Sequence, residues 1–363
     1  QVIRPGLCTG CGACQGMCPY WDSVEGRTIC YFDCERPDGR CQRFCPRMPT
    51  DLDALRRQFF PAETILPEIG PFRGLYPTRA TDASLQAGAQ HGGTMTALVE
   101  LALQEGFIDA AVLTRSQGGL EPEGVLATTA EEVRSCSGSS FQIPPTLATL
   151  NRALREDRYH AIGVVGTPCK TLAACKMKAQ PFAENGNHAE NIGMVFGLFC
   201  GWGLDWEGLR DLAAKHADPE KVSHMDIPPS KYHSLELRQG DETVSVNLDE
   251  VTPLVRSGCR YCTDMTAEFA DLSVGGARST DGWDVDKGWN QVIVRSEKGT
   301  KLLELAREQG ILEFKDVPEG GLEKLKKASL GKKRTGVRNL RQLTGSEADL
   351  GYLNPSRALF QEL

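Results

Sequence analysis

The amino-terminal part of the chain contains the sequence Cys8-Thr-Gly-Cys11-Gly-Ala-Cys14-Gln-Gly-Met-Cys18-Pro19, which predicts its local fold. Its spacing, C-x2-C-x2-C-x3-C-P, is the spacing by which bacterial ferredoxins hold [4Fe-4S] clusters. Three thiolates two residues apart can occupy three corners of one cubane, and the fourth, before the proline, serves another cluster. Gly10 and Gly12 allow a tight backbone, so that amides can point at the sulfides.

A second set of four cysteines follows, and Pro46 again comes directly after its last member. Its spacings of three, six and three residues depart from the regular repeat. We predict a two-cluster ferredoxin-like module over residues 1–50. The first cluster is expected on Cys8, Cys11, Cys14 and Cys45, and the second on Cys18, Cys30, Cys34 and Cys41.

Closely spaced cysteines could also form a disulfide framework or a zinc site. Disulfide frameworks are typical of secreted domains shorter than about 100 residues, whereas this chain has 363 residues. Zinc sites favour separate C-x2-C pairs, without a third cysteine and without Cys-Pro. The pattern therefore favours iron–sulfur clusters.

The composition excludes several classes of protein. A chain with 40% hydrophobic and 25% charged residues can bury a core, so general disorder is excluded. The 48 acidic and 41 basic residues give a net charge of -7, which argues against a nucleic-acid partner. No apolar run approaches the roughly 20 residues of a membrane span, and the first residues lack an apolar signal core. We expect a cytoplasmic protein, although Gln1 in place of Met is compatible with removal of a leader.

The remainder of the chain predicts a larger domain behind a linker. Repeated prolines suggest a linker over residues 51–75. Helical and strand patterns then alternate over residues 76–335, for example a helix at 94–105 and strands at 109–114 and 160–166. The expected fold class is α+β or mixed α/β, with the small ferredoxin-like module followed by a mixed-sheet domain. Residues 336–363 are expected to form a carboxyl-terminal tail.

Four later cysteines could hold a third cluster. Cys169 lies in a predicted strand-to-helix turn and Cys200 ends a predicted strand, where sites form in open α/β sheets. Cys259 and Cys262 form a C-x2-C pair. Four thiolates are enough for one [4Fe-4S] cluster, but a lone buried cysteine is usually part of a core, and C-x2-C could be a redox or zinc pair. Two further cysteines are interpreted as non-ligands, namely Cys136 and Cys175.

The larger domain resembles the beta-subunit family of coenzyme F420-reducing hydrogenases and F420-linked dehydrogenases. The matching blocks occur in the family's order between about residue 75 and about residue 335. They are Ala89-Gln-His-Gly-Gly93, Ser137-Gly-Ser-Ser-Phe141, Gly166-Thr-Pro-Cys-Lys170, Phe199-Cys200, Ser257-Gly-Cys-Arg-Tyr-Cys-Thr-Asp264, Ala270-Asp-Leu-Ser-Val-Gly-Gly276, Asp281-Gly-Trp283 and Val292-Ile-Val-Arg295. The amino-terminal module is similar to the ferredoxin extension of some members.

The resemblance implies a flavoprotein with FAD bound in a mixed-sheet domain and three [4Fe-4S] clusters in all. It implies that the third cluster lies on Cys169, Cys200, Cys259 and Cys262. The implied FAD contacts are Gly92, Gly93, Thr94, Ser139, Ser140, Gly275, Gly276 and Arg278. A helix beginning at a Gly-Gly pair offers free amides and a positive dipole to a pyrophosphate or a reduced flavin, although such a pair is also an ordinary helix start.

The chain departs from the family pattern at three points. His91 stands where other members often have an acidic or small residue, and Cys136 replaces a small residue. Trp283 and Trp289 both fit one Gly-Trp position. The basic run 324–334 could contact FAD phosphates or form a solvated helix face.

The resemblance implies an electron-transfer oxidoreductase that works between coenzyme F420, or a similar hydride carrier, and ferredoxin or hydrogenase/dehydrogenase-type partner subunits. Clusters carry single electrons, a deazaflavin carries hydride, and FAD can join the two. Two alternatives stay open: a ferredoxin-dependent flavin reductase of an organic double bond, and a non-catalytic electron-relay subunit. No G-x-G-x-x-G follows a strand, so a Rossmann NAD site is not predicted.

Overall fold

The computed structural model describes the chain apart from residues 37, 62, 117–119, 181–186, 229–231, 278–287, 357–359 and 361–362. The strands are β1 (Trp21–Val24), β2 (Arg27–Cys30), β3 (Thr64–Leu66), β4 (Gly70–Phe72), β5 (Gly74–Ala80), β6 (Ala110–Ser116), β7 (Pro122–Ala127), β8 (Ile162–Gly166), β9 (Ile192–Leu198), β10 (His224–Asp226), β11 (Ser234–Gln239), β12 (Glu242–Asn247), β13 (Leu272–Gly276), β14 (Asn290–Val294) and β15 (Leu312–Phe314). The α-helices are α1 (Arg40–Arg43), α2 (Leu52–Phe59), α3 (Ala83–Gly88), α4 (Thr94–Gln104), α5 (Ala130–Arg134), α6 (Thr146–Glu156), α7 (Pro168–Ala179), α8 (Trp206–His216), α9 (Leu248–Val251), α10 (Ser257–Arg260), α11 (Glu297–Glu308) and α12 (Gly321–Thr344).

An eight-stranded mixed sheet forms the centre of the molecule, in the order β15-β5-β14-β13-β9-β8-β6-β7. The four inner strands β13, β9, β8 and β6 are parallel, and the outer strands pair antiparallel. Every residue of β8 is buried, as expected for a parallel strand covered on both faces. The mixed α/β fold that the sequence predicts is therefore confirmed.

Helices cover both faces of this sheet. Side chains alternate between the two faces of a strand, and Val165 of β8 packs with α4 and α11 on one side. Val164 packs with α6 and α7 on the other. The carboxyl ends of the four parallel strands consequently meet at one edge between the helical layers, which is where open α/β sheets bind ligands. Within the described part of the chain, no helix is long and apolar enough to cross a membrane.

The amino-terminal module packs directly against this domain. The amide of Leu147 donates to the carbonyl of Cys11 at 3.1 Å, and the Asn151 side chain donates to the carbonyl of Gln15 at 2.6 Å. Gly12 has a φ of +85°, and a Cβ added there would lie 2.6 Å from the carbonyl oxygen of Pro145. Only glycine allows this backbone approach without strain, so the module is fixed against the start of α6.

The segment that the prolines suggested as a linker contains α2, β3 and β4. The carboxylate of Asp51 caps α2 by accepting from the amides of Asp53 and Ala54, as N-cap aspartates do. Leu52 and Leu55 of α2 are buried in one cluster with Val337 of α12. The expected tail, residues 336–363, contributes to the same cluster through Leu340, Leu350, Leu353 and Phe360.

A buried ion-pair network joins α2 and α12 to the central domain. The Glu268 side chain is 1% exposed and accepts from Arg56 of α2 at 2.7 Å and from Lys333 of α12. Burial alone would raise the pKa of Glu268, but Lys333 and Arg56 outweigh it and hold the pKa below its usual value. This stabilisation is therefore present above the ordinary carboxyl pKa and is lost as the pH falls through the lowered one.

Glu268→Gln is expected to destabilise the protein by about 3–5 kcal/mol, because buried Lys333 loses this counter-charge and buried Arg56 is left with its pair to Asp53. Thermal denaturation under argon, followed by far-UV circular dichroism, measures the change. Glu347→Gln is the control, since Glu347 pairs with Arg341 while its side chain is 88% exposed, and exposed pairs contribute about 0–1 kcal/mol. Equal shifts in the two variants would contradict the importance of the buried network.

Candidate functional site

Four cysteines of the amino-terminal module converge in what we call the proximal group: Cys8, Cys11, Cys14 and Cys45. The thiol of Cys14 interacts electrostatically with each of the other three. Burial raises the pKa of Cys11 and of Cys14, and the neighbouring thiols raise both further. Gly10 and Gly12 both have positive φ values, +77° and +85°, so the loop turns as tightly as its glycines predict.

What we call the distal group, Cys18, Cys30, Cys34 and Cys41, lies farther along the same module. The thiol of Cys41 interacts with those of Cys18 and Cys34. Cys30 lies at the end of β2, and its thiol donates to the carbonyl oxygen of Phe32 at 3.0 Å. The structure thus places three of the four predicted ligands together, while Cys30 and Cys34 are both exposed.

The body group combines four cysteines from three places in the sequence: Cys169, Cys200, Cys259 and Cys262. The thiol of Cys200 interacts with those of the other three. Burial raises the pKa of Cys200 to about 12 and that of Cys259 to about 11. The amide of Gly203 lies 3.3 Å from the sulfur of Cys259, and hydrogen bonds of this kind tune iron–sulfur centres.

These three groups have the donor chemistry of iron–sulfur ligands. All fourteen cysteines are free thiols, which disagrees with the disulfide alternative. Among the described residues no three His, Cys, Asp or Glu side chains are arranged to hold a single metal ion. A cubane is larger than one ion and its ligands stand farther apart, so convergence of four thiols is the relevant test. In the proximal and body groups four thiols come together, and soft thiolates are the ligands that iron–sulfur clusters require.

The proximal and body groups adjoin each other. The thiol of Cys11 interacts electrostatically with that of Cys169. A Cβ added to Gly258, next to Cys259, would lie 2.4 Å from the carbonyl oxygen of Cys8. The two cysteine groups are therefore parts of one packed unit.

Two other cysteines lie outside these groups. Cys175 is 3% exposed in the apolar cluster beneath α2 and α12, consistent with its interpretation as a core residue. Cys136 lines the cavity described next, and burial raises the pKa of its thiol.

A cavity of about 720 Å³ opens at the carboxyl edge of the parallel strands. Its wall includes Thr114 of β6, Gly166 of β8, Cys200 after β9 and Gly276 of β13, together with the first residues of α4. This volume lies within the range of about 300–1,000 Å³ that is typical of ligand and cofactor sites. Cys200 is the residue that belongs to both the cavity wall and the body group.

Most of the predicted flavin contacts lie on this cavity. Those that line it are Gly93, Thr94, Ser139, Ser140, Gly275 and Gly276. Gly92 lies beside the wall, where an added Cβ would be 2.8 Å from the Cβ of Arg79. Arg278 lies outside the described residues, as does Trp283.

Several cavity residues were not among the sequence predictions. Gln90 accepts from the Ser139 hydroxyl and donates to Asp226 at 2.6 Å. Asn290 accepts from the amide of Thr94 at 3.3 Å and so holds the start of α4. Lys170 is 3% exposed and donates to the Thr146 hydroxyl at 2.7 Å. Both Gln90 and Lys170 lie inside quoted family blocks, which is the signal that could have identified them.

One departure from the family pattern, His91, and the basic run also have a place in the site. A Cβ added to Gly276 would lie 2.5 Å from Nε2 of His91, so the histidine ring covers this glycine at the cavity wall. The basic run 324–334 lies in α12. Lys324 lines the cavity, whereas Lys333 is buried with Glu268, so the run is not simply a solvated helix face.

Comparisons with known proteins agree with the predicted family. The family "Coenzyme F420 hydrogenase/dehydrogenase, beta subunit" matches with its N-terminal part over residues 75–151 and with its C-terminal part over residues 159–320. The coenzyme F420 hydrogenase subunit beta of Methanothermobacter thermautotrophicus is 30% identical, over 75% of this chain and 95% of that protein. The corresponding beta subunit of Methanococcus voltae is also 30% identical, over 75% of this chain and 95% of that protein.

A solved structure has a similar fold. A chain of the F420-reducing [NiFe] hydrogenase complex from Methanosarcina barkeri superposes with a TM-score of 0.68 at 25% identity, over 77% of this chain and 96% of that chain. The sequence blocks, the central sheet and these matches agree with one another. The chain therefore belongs to the oxidoreductase family of coenzyme F420 hydrogenase/dehydrogenase beta subunits.

Proposed function

We propose that this protein passes electrons between coenzyme F420, or a similar hydride carrier, and ferredoxin or the iron–sulfur centres of a partner subunit. The cavity would hold FAD, and the proximal, distal and body groups would each hold one [4Fe-4S] cluster. When bound, the flavin supplies exchange of two electrons with a hydride carrier and of single electrons with clusters.

The observation that carries this proposal is the continuous order of the four sites. Cys200 lines the cavity and belongs to the body group, and Cys169 of that group interacts with Cys11 of the proximal group. The distal group follows in the same small module and contains the exposed Cys30 and Cys34. Loaded with clusters, the three groups would connect the cavity to the surface, as an electron-transfer protein requires.

The chain's own residues suit the cavity to a reducible, phosphorylated cofactor. Gly93 caps α4 in the left-handed conformation with a φ of +74°, which places the start of the helix at the wall. The first amides and the positive dipole of a helix favour a phosphate or a reduced ring. The buried ammonium of Lys170 lines the same cavity and would favour negative charge that develops on reduction.

A ferredoxin-dependent reductase of an organic double bond is the second candidate. One part of the cavity wall is apolar and comes from outside the central sheet, with Phe141, Trp202, Met225, Ile227 and Leu248. An apolar substrate would fit this part better than the charged tail of a phosphorylated deazaflavin, because apolar walls do not compensate the desolvation of charge.

Anaerobic purification followed by stopped-flow mixing tests the proposal. We expect about twelve irons per chain, on cubane stoichiometry, one bound flavin, and bleaching of the flavin by reduced F420. Bleaching by reduced ferredoxin alone would favour the reductase, and tightly bound iron without flavin would favour a relay subunit. If only NADH or NADPH bleaches the flavin, the proposed function is wrong.

A further inference from the structure

Arg47 connects the proximal group to the body group. It follows Cys45 and Pro46 in the sequence, and its backbone amide lies 3.4 Å from the sulfur of Cys45. Its side chain extends to the other group, where the guanidinium interacts electrostatically with the thiols of Cys262 and Cys169. One residue of the amino-terminal module therefore interacts with cysteines of both groups.

The guanidinium is held in place by the rest of the fold. It donates to the hydroxyl of Tyr352 at 2.5 Å and to the carbonyl of Gly258 at 3.2 Å, and its Cζ lies 4.6 Å from the centre of the Tyr352 ring. The Tyr352 hydroxyl in turn donates to the carbonyl of Tyr261 at 2.8 Å. Arg47 is only 4% exposed, so its charge cannot be screened by water as a surface charge would be.

The same side chain retains an unused donor. Nε of Arg47 is buried and has no hydrogen-bond partner among the described residues. Buried donors are almost always paired in native proteins. Sulfur atoms of a bound cluster would supply the missing acceptor, because hydrogen bonds to cluster sulfurs are common in such sites.

We propose that Arg47 sets the reduction potential of the body cluster and so controls the electron step between the proximal and body groups. A buried positive charge beside Cys262 stabilises the more negative, reduced state of a centre, which raises its potential. Lys332 adds a second cation there, since its Nζ donates to the carbonyl of Cys200 at 2.6 Å. Arg47 differs from Lys332 because it also contacts the proximal group, which makes it a residue of the junction.

An EPR-monitored redox titration of anaerobically purified full-length protein tests this inference, which rests on the proposed clusters. Arg47→Gln should keep the full iron content and make reduction of the body cluster about tenfold less favourable, or about 59 mV for a one-electron couple. The signal of the body cluster is identified by its absence from Cys169→Ser. The potentials of the distal cluster should stay unchanged.

Two further variants make the test decisive. Arg47→Lys keeps the charge but loses the planar fork, so it should lower the potential by a smaller amount. Arg27→Gln removes an exposed pair with Glu207 between the same module and α8, and it should leave the potentials unchanged. If Arg47→Gln fails to bind iron, the reduction potential of the body cluster in Arg47→Lys becomes the test.

The inference would be overturned if either Arg47 variant had its full iron content and a body cluster with the wild-type reduction potential. It would also be overturned if Arg27→Gln shifted that potential as much as Arg47→Gln does. A wild-type protein without iron in the body group would instead refute the proposed function.

Discussion

Cys169→Ser is expected to remove about four irons per chain, on cubane stoichiometry, and to leave the iron of the amino-terminal module in place. The reason is that Cys169 is 8% exposed and interacts with Cys200 and Cys259 of the body group. A serine hydroxyl is a harder and far less acidic ligand than a thiol, so the cluster loses one of its four attachments. Iron quantitation and EPR spectra of protein purified without oxygen measure the loss.

Cys175→Ala is the matched control. Cys175 lies on α7, the same helix as Cys169, and it is even more deeply buried, at 3% exposure. Its surroundings are apolar, so its removal should change packing but not iron content. Unchanged iron in Cys169→Ser would refute the body cluster, and equal loss in both variants would show that disruption of α7, rather than ligand removal, is responsible.

The cysteine groups could be predicted because their signals are local or follow from a topological rule. The Cys-Pro ending suggested that Cys45 joins the first three cysteines, and the structure places its thiol beside theirs. Cys169 and Cys200 each follow a parallel strand, and the carboxyl ends of parallel strands share an edge. Two cysteines separated by thirty residues could thus be assigned to one group without knowledge of side-chain packing.

Buried charges could not be predicted in the same way. Arg47, Arg56 and Lys333 are each less than 5% exposed, yet hydropathy alone would place all three on the surface. Their burial depends on partners distant in sequence, such as Glu268 for Arg56 and Tyr352 for Arg47. The prolines of residues 51–75 also did not indicate the helix and strands that this segment contains. Pro71, for example, lies in a short two-stranded sheet, β3-β4, where a strand without a second neighbour can accept a proline.

One wall of the cavity could be predicted from the sequence, and the opposite wall could not. Its wall at the central sheet carries glycines and serines that a family resemblance can indicate. The opposite wall includes Met225 of β10 and Ile227, which belong to the separate sheet β10-β11-β12 and its surroundings. Nothing local in that segment indicates that it faces the strand ends, so its contribution follows only from tertiary structure.

Gly276→Val is expected to weaken flavin binding by about ten- to a hundredfold while iron content stays normal. Gly276 ends β13 and pairs with Asn290, so its backbone is already compatible with a β-branched residue. The obstacle is space, since even a Cβ at this position would lie 2.5 Å from Nε2 of His91. The valine must displace His91 or occupy the cavity, and overpacking of this kind costs about 1–3 kcal/mol. Titration of flavin into the flavin-depleted protein, followed by fluorescence, measures the dissociation constant.

Gly201→Ala tests whether the weaker flavin binding of Gly276→Val is specific to that position or follows any change at the cavity wall. Gly201 also lines the cavity, but a Cβ added there meets no atom within 4 Å. Its flavin affinity should therefore match that of the unmodified protein. If Gly276→Val binds flavin normally, the ring does not lie against the end of β13, and the assignment of FAD to this part of the cavity must be abandoned. If both variants lose flavin while keeping their iron, the cavity is the site, but its shape rather than Gly276 determines binding.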